Sequence, residues 1–434
     1  MGEWKTIEDL FDFEKGTLQS SKCTPGKYTF ITAAEEWKTH ESYTHDCEAL
    51  VFAMAASGSL GRTHYVNGKF ISSDLCFILT PKKELKLDLL FYYRLFNFLR
   101  RDIVKKTATG TSKLAINQTN FGAYRLPFFE YEHQLCFRAK IESMANINDE
   151  FFGQISDQLS FLNQLRQAIL QEAVEGRLTT KWRDKHPELI NGDNHASKLL
   201  EKIKAEKERL TKNTKGAKNA KTLLPISEEE KPFDLPEGWV WCQPSDLGFF
   251  AGGGTPNTSV TDYWNGNIPW ITPKDMKVDN IYNSELKITK KGIENSNAIL
   301  LPANTLIFVV RSGILKRIIP ISISRVESTI NQDLKAWFLC MSEMADFLRI
   351  NIKGHEARLL RSIVKKGMTV ESFDFDKFKC FPIPLPPLAE QQAIVERVDK
   401  LMTMTDELEK QVSERKEQSE MLMQSVLGEA FVKG

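Results

Sequence analysis

Trp4-Lys-Thr-Ile-Glu-Asp9-Leu10 opens the chain, and Trp241-Cys-Gln-Pro-Ser-Asp246-Leu247 repeats its W-x4-D-L spacing far downstream. Further landmarks recur after each copy in the same order. Gly16-Thr17 answers Gly254-Thr255, and Phe30-Ile31-Thr32 answers Trp270-Ile271-Thr272, with an acid three residues on (Glu35, Asp275). Leu50-Val51-Phe52 answers Leu306-Ile307-Phe308. Ser57-Gly58-x-Leu60-x-Arg62 answers Ser312-Gly313-x-Leu315-x-Arg317, and Phe98-Leu99-Arg100 answers Phe347-Leu348-Arg349. Each copy closes in a long helical pattern, one ending near Glu172-Ala173 and the other near Glu429-Ala430. A sequence that repeats its landmarks in order is a tandem duplication, here domain–helix–domain–helix.

The 434 residues leave room for two or three domains, and 41% apolar with 26% charged residues describes an ordinary globular protein. No run approaches the roughly 20 apolar residues of a membrane span. The N-terminus lacks the apolar core of a secretory signal. Met1-Gly2 with Thr6 matches a myristoylation start on paper, but Trp4 already belongs to the repeat. Seven scattered cysteines, an odd number without C-x-x-C, predict reduced thiols, a cytoplasmic setting and no zinc site. Net charge is only +1. Charge is locally uneven, with Arg100, Arg101, Lys105, Lys106 and Lys113 in the first copy and Arg358, Arg361, Lys365 and Lys366 in the second. Each alone reads as a solvated face; two at matching repeat positions suggest a shared use.

Residues 1–141 form a first domain of mixed α+β character. Leu50–Ala56 and Leu75–Leu79 read as buried strands, Leu87–Leu99 as a helix, and Lys105–Thr119 as an exposed polar loop. Residues 142–180 hold a long helix whose stripe is Ile155, Leu159, Leu162, Ile169 and Ala173; Asn148 or Asp149 caps it and Gly176 stops it, a length of roughly 45–50 Å. Residues 181–235 are a linker, with a short charged helix over Lys198–Leu210 and flexible chain over Thr211–Lys221. Residues 236–386 form the second domain. Its Gly252-Gly253-Gly254 lacks the lysine of a phosphate loop and reads as a tight turn or a close backbone approach. Phe381-Pro-Ile-Pro-Leu-Pro386-Pro387 ends that domain, and residues 387–434 are a second long helix of about 60 Å. Its seam is Val398, Leu401, Leu408, Val412, Leu422 and Val426, interrupted by Thr405, Arg415 and Ser419. Two helices with one apolar stripe each predict an antiparallel coiled coil.

Leu385-Pro-Pro-Leu-Ala-Glu-Gln-Gln-x-Ile394 resembles the junction before the C-terminal helix in specificity subunits of type I restriction–modification systems. Leu235-Pro-x-Gly-Trp239 resembles the start of their second target-recognition domain, and Gly253-Gly-Thr-Pro256 with Ile268-Pro-Trp-Ile271 a stretch inside it. The resemblance covers essentially the whole chain. It implies two target-recognition domains, each reading one half of a split DNA site, on helices that dock two methyltransferase subunits, with restriction and translocase subunits joining the full assembly. S-adenosylmethionine, ATP and magnesium would then serve those partners, and this chain would hold no cofactor.

The residues agree by what they lack: no Asn-Pro-Pro-Tyr or Asp-Pro-Pro-Tyr tetrapeptide, no Walker A loop and no H-E-x-x-H. The alternative is an enzyme, a methyltransferase or nuclease with diverged motifs; a scaffold without DNA binding is a third reading. For DNA contact the candidates in the first domain are Ser57, Ser59, Arg62, Lys105, Lys106, Thr109, Ser112 and Lys113. In the second they are Arg311, Ser312, Lys316, Arg317, Arg358, Arg361, Lys365 and Lys366. The Ser-Gly-x-Leu-x-Arg pair leads them, read either as a base-contacting turn or as a structural hairpin. The helix stripes above, with Arg415, are the candidate subunit and helix interface. A duplicated reader also predicts a bipartite site with half-site centres about one turn apart, roughly 34–36 Å.

Overall fold

The computed structural model describes residues 3–56, 58–110, 114–213, 225–367 and 370–432. It contains two compact units, Met1–Gln158 with Gln411–Gly434, and Leu159–Lys410.

In the first unit the W-x4-D-L stretch is a strand followed by one helical turn. Glu3–Thr6 pairs antiparallel with Arg125–Phe128, Trp4 opposite Pro127. Thr6 then caps the turn Ile7–Leu10: the Asp9 N–H donates to the Thr6 hydroxyl (3.2 Å), and the Thr6 N–H donates to the Asp9 carboxylate (3.0 Å). The turn buries Ile7 and Leu10 and delivers the chain into a six-stranded sheet. Its order is Phe11–Lys15, Cys76–Pro81, His45–Ala53, Thr63–Ser72, Tyr28–Ile31, Lys38–His40. Alternation decides the two faces. Leu50, Phe52, Phe77 and Leu79 pack under the helix Leu89–Thr107, whereas Ala49, Val51, Cys76 and Ile78 pack on the other side with Ile31.

The second unit repeats this order. Val240–Cys242 pairs with Ile383–Leu385, Trp241 opposite Pro384. Asp246 accepts the Gln243 N–H (2.9 Å) at the turn Pro244–Leu247, and Leu247 is buried. The sheet order is Gly248–Gly252, Leu334–Leu339, Thr305–Val309, Ile321–Ser324, Asn280–Ile281. A three-stranded sheet of Leu286–Ile288, Trp264–Ile271 and Thr329–Ile330 stands beside it. In both copies the W-I-T or F-I-T strand lies parallel to the segment leading into the next ladder strand. The Ser73 N–H reaches the Ile31 carbonyl (2.9 Å), and the Asn331 N–H the Ile271 carbonyl (3.0 Å).

That pair of bonds shifts one sequence correspondence by a residue. The Thr17 N–H donates to the Ser72 carbonyl and the Gly254 N–H to the Ile330 carbonyl. Gly16 therefore matches Gly253, not Gly254. A Cβ on Gly16 would stand 2.1 Å from the Ser73 carbonyl oxygen, and one on Gly253 only 1.7 Å from that of Asn331. Close backbone approach is the reason for both glycines.

The helices also differ from their sequence reading. The first long helix spans Tyr131–Val174, so it starts eleven residues before position 142, and Asn148 and Asp149 lie inside it. The polar stretch read as a loop from Lys105 is the end of the Leu89–Thr107 helix, then a short hairpin of Ala108–Thr109 with Ala115–Ile116, then the capped turn Gln118–Gly122. The charged helix of the linker runs Ala196–Asn213, and Leu199 and Ile203 join the second core. Residues 214–221 of the flexible stretch lie outside the described residues.

The C-terminal helix spans Leu388–Val432. Within the second unit its first turns run antiparallel to the end of the first long helix. Arg166 bonds both Asp406 (2.6 Å) and Glu409 (2.7 Å), while Ile169 and Ala173 share a core with Ile394 and Val398. On the first helix Ile155, Leu162 and Ile169 are buried and Leu159 is half-buried. On the second, Val398, Thr405 and Val412 form one buried row at sevens. The other expected row begins with half-buried Leu401, packed against the second core, and then faces solvent: Leu408 is 45% exposed, Arg415 is exposed and Leu422 is 65% exposed. Leu408, Arg415 and Leu422 are therefore not seam residues; the Val426 side chain lies outside the described residues.

Burial of His355 gives the second unit a pH dependence. Its Nδ1–H donates to the Asn351 carbonyl (3.0 Å), and its ring packs on Phe233 and Phe381. Burial is the main cause that lowers its pKa to about 4; neighbouring Arg358 acts the same way, and Asn351 and Glu175 act against it. The unfolded chain takes up a proton near the ordinary value of 6.5, the folded chain only near 4. This part of the stability is complete above pH 6.5 and is lost as pH falls towards 4, in all about 3 kcal/mol. Urea unfolding of parent and His355→Phe chains at pH 7.5 and 4.5 should show the variant with the shallower loss.

Candidate nucleic-acid interface

In each copy two segments meet beside the sheet: the connection after the central strand and the hairpin after the domain helix. In the first copy these are residues 54–62 and 108–116. The Ile116 N–H donates to the Met54 carbonyl (2.8 Å), and Ala55 bridges Ala115. In the second they are residues 310–320 and 363–373. The Phe373 N–H donates to the Val310 carbonyl (2.9 Å), and Arg311 bridges Ser372. Most of the candidate residues chosen from sequence fall on these two pairs of segments, and Lys105 and Lys106 stand on the last helical turn leading into the first.

Different side chains hold the two connections in place. Arg100, on the domain helix, donates from Nε to the Leu60 carbonyl (2.8 Å) and from Nη2 to the Gly58 carbonyl (2.9 Å). Gly61 takes φ +78°, and a Cβ there would run into Val104. In the second copy Lys353 donates to the Ile319 carbonyl (3.0 Å), while Glu356 accepts the Ile319 N–H (2.7 Å). Arg100 is thus a clamp on its own connection and not a free cation.

The matched Ser-Gly-x-Leu-x-Arg spacing does not place its arginines alike. The Ala53 N–H donates to the Arg62 carbonyl, and its ladder counterpart Val309 donates to the Pro320 carbonyl. Arg62 therefore stands where the second copy has Pro320, and the second connection is two residues longer. Arg62 sits 3.5 Å from both the Ser59 hydroxyl and the Glu35 carboxylate, with a quarter of its side chain exposed. Arg317 caps the turn Gly313–Lys316 and is exposed. Ser312 starts that turn, its hydroxyl accepting the Ile314 N–H (3.3 Å).

Among the other candidates, partners separate structural cations from available ones. Lys106 pairs with Asp102 (2.8 Å), which also accepts the Tyr124 hydroxyl (2.5 Å). Those bonds, Lys106 first, hold the Asp102 carboxyl below the usual range. Thr109 makes only a 3.4 Å bond to the Ala115 carbonyl. Lys316 lies 3.5 Å from buried Glu371. Lys365 pairs with Asp374 (2.7 Å), the residue that caps the turn Phe375–Lys379. Arg358 donates to the Glu230 carbonyl (2.8 Å) and lies over the Phe381 ring, and burial lowers its pKa. Arg358 is thereby fixed in the fold and is a poor candidate for contact, whereas Lys365 keeps 63% of its side chain exposed beside its surface pair. Lys105, Arg311, Arg317, Arg361 and Lys366 are exposed and form no ion pair among the described residues. Ser57, Ser112 and Lys113 lie outside the described residues.

Sequence reading misses the site that ties the second domain to its helices. Glu390, fully buried, accepts the Thr179 hydroxyl (2.6 Å) and the Trp239 indole N–H (2.7 Å) and pairs with Arg183. In the sequence it shows as an acid in the first turn of a helix, inside the junction motif, with nothing to mark its partners. Among the described residues no group of histidines, cysteines and acids has the geometry of a metal site, and no helix is long and apolar enough to cross a membrane.

Duplication, sheet order and helix pairing define the class: two related α+β domains, each running into a long helix. The family model described as the type I restriction modification DNA specificity domain matches residues 1–134 and 236–418, and the chain belongs to that family. It is 38% identical over 174 residues to the specificity subunit of the type I restriction enzyme EcoR124I/EcoR124II of Escherichia coli, a match covering 40% of this chain and 43% of that protein. With the EcoEI specificity subunit of Escherichia coli it shares 29% over 290 residues, 61% of this chain and 43% of the relative. These matches span less than half the length of those relatives. The fold is that of a solved chain from a type I R-M system, with TM-score 0.62 at 16% identity over 99% of this chain and 97% of that one. The HsdS subunit from Thermoanaerobacter tengcongensis gives TM-score 0.50 at 16% identity, covering 99% and 96%.

Proposed function

We propose that this chain is the non-catalytic DNA-reading subunit of a type I restriction–modification assembly. The observation that carries the reading is the repeated pairing of a connection with a hairpin beside each sheet, with exposed Arg311, Arg317 and Lys366 on the second pair and exposed Lys105 on the helical turn leading into the first. Exposed Lys105 in one copy, and Arg311, Arg317, Arg361 and Lys366 in the other, would neutralise phosphates and position each domain. Arg62, with Ser59 beside it, is the group suited to a base edge in the first copy. Double-stranded DNA would be read as two short blocks, one per copy. The helices would dock two methyltransferase subunits, with restriction and translocase subunits joining through them. S-adenosylmethionine, ATP and magnesium would be bound by those partners, in the cytoplasm.

Spacer length tests this reading. Two added base pairs rotate one block about 70° around the duplex at about 10 base pairs per turn. Binding by the chain with its methyltransferase subunits should then be lost, while altered spacer bases at constant length should leave it intact. Binding of S-adenosylmethionine by the isolated chain, or methylation by it alone, would contradict the reading.

A further inference from the structure

The two copies root their long helices with the same glutamine, and only one of those glutamines is satisfied. Gln134 in the first copy is fully buried and donates from Nε2 to the Phe129 carbonyl (2.6 Å), five residues back. Gln391 in the second is 2% exposed and donates likewise to the Pro386 carbonyl (2.9 Å). In the first copy the Gln134 Oε1 accepts the Asp88 N–H (2.7 Å), and Arg138, one turn on, pairs with the Asp88 carboxylate (3.0 Å). Asp88 ends the connection from the ladder strand to the domain helix, residues 82–88. The second copy makes that connection with residues 340–344 only, two fewer. Its Gln391 Oε1 has no hydrogen-bond partner among the described residues, and Val395 stands where the first copy has Arg138.

A cavity of about 340 Å³ opens at that place. Phe347 and Val395 give it apolar wall, and Glu343, Asp346 and Glu396 stand around it with Gln391. Asp346 is taken by Arg325. Glu343 and Glu396 are exposed and form no ion pair among the described residues. An unsatisfied buried amide oxygen calls for a donor, because leaving it unpaired carries a desolvation cost. The exposed carboxylates at its rim complement a positive charge, and the apolar wall suits an alkyl stem. Arginine supplies all three, with planar donors able to reach oxygens on more than one side.

We propose that this cavity receives an arginine side chain of a methyltransferase subunit, and so forms a docking point at the root of the C-terminal helix. The first copy fills the equivalent place with its own backbone and its own arginine. Docking here rests on the DNA-reading role proposed for the chain. Its test uses the full chain and its methyltransferase subunit, comparing the parent with Glu343→Lys/Glu396→Lys. Both positions are on the surface, and an unchanged melting temperature reports that the variant is folded. Affinity of the methyltransferase subunit should fall roughly tenfold or more, and the loss should persist at about 0.5 M salt, because an enclosed pair is screened far less than exposed charges. Parent-like affinity, or a loss that vanishes at high salt, would overturn the proposal. So would magnesium or calcium raising the melting temperature of the parent alone and not of the variant, which would make the cavity a cation site. If the methyltransferase subunit fails to bind even the parent chain, the functional reading itself fails and this proposal with it.

Discussion

Glu390→Ala will destabilise the second unit by about 3–5 kcal/mol, the range for removing one member of a buried ion pair. The reason is the state of what remains. Arg183 keeps a charge in a site only about a tenth exposed, and the Trp239 indole N–H and Thr179 hydroxyl lose their acceptor. Thr179 and Arg183 belong to the short helix Thr180–Lys185 and its cap, just after the first long helix, and Trp239 to the approach to the second domain, while Glu390 begins the C-terminal helix. One substitution therefore loosens three segments together. Guanidinium unfolding followed by tryptophan fluorescence measures it directly. Glu390→Gln should cost less, since an amide oxygen can still accept from Trp239 or Thr179.

Neutralising Arg317, Arg361 and Lys366 together will lower DNA affinity roughly 100-fold at about 0.15 M salt and reduce the salt slope by about 3, if each contacts one phosphate. Stability should hardly move, because surface substitutions away from packed features usually stay within about 0.5 kcal/mol. Arg358→Ala should behave in the opposite way. It removes a bond to the Glu230 carbonyl and the packing over the Phe381 ring, so the loss should appear in unfolding before it appears in the salt slope. Titration of a fluorescent duplex at several salt concentrations, beside thermal melts, separates the two sets.

Much of this architecture is legible in the sequence because its markers are local. W-x4-D-L is a strand plus a turn whose acid closes back on backbone three residues away, so spacing alone carries it. The long helices show in the stripe at three and four, and the duplication shows because its landmarks keep their order. What the sequence hides is non-local. Three consecutive glycines offer three alignments, and only contact with Asn331 selects Gly253. Arg358 and Lys365 look like members of a basic cluster until Glu230 and Asp374 are found beside them. Gln134 and Gln391 share a role under unlike neighbours, Glu130-Tyr131 against Pro387-Leu388, so the junction motif that contains Gln391 does not lead to Gln134. A heptad written on paper offers two rows, and only burial shows that the row of Val398, Thr405 and Val412 packs while Leu408 and Leu422 face solvent.

The proposal that each copy reads its own block of DNA, through its paired connection and hairpin, is open to one direct measurement. The methylated sites are sequenced in a host that carries this chain with its methyltransferase subunit, for the parent and for a variant whose residues 58–62 are replaced. The parent should give a bipartite site, two specific blocks around an unread spacer of fixed length, and the variant a change or loss of specificity confined to one block. A continuous palindromic site for the parent, or a variant in which both blocks change together, would contradict it.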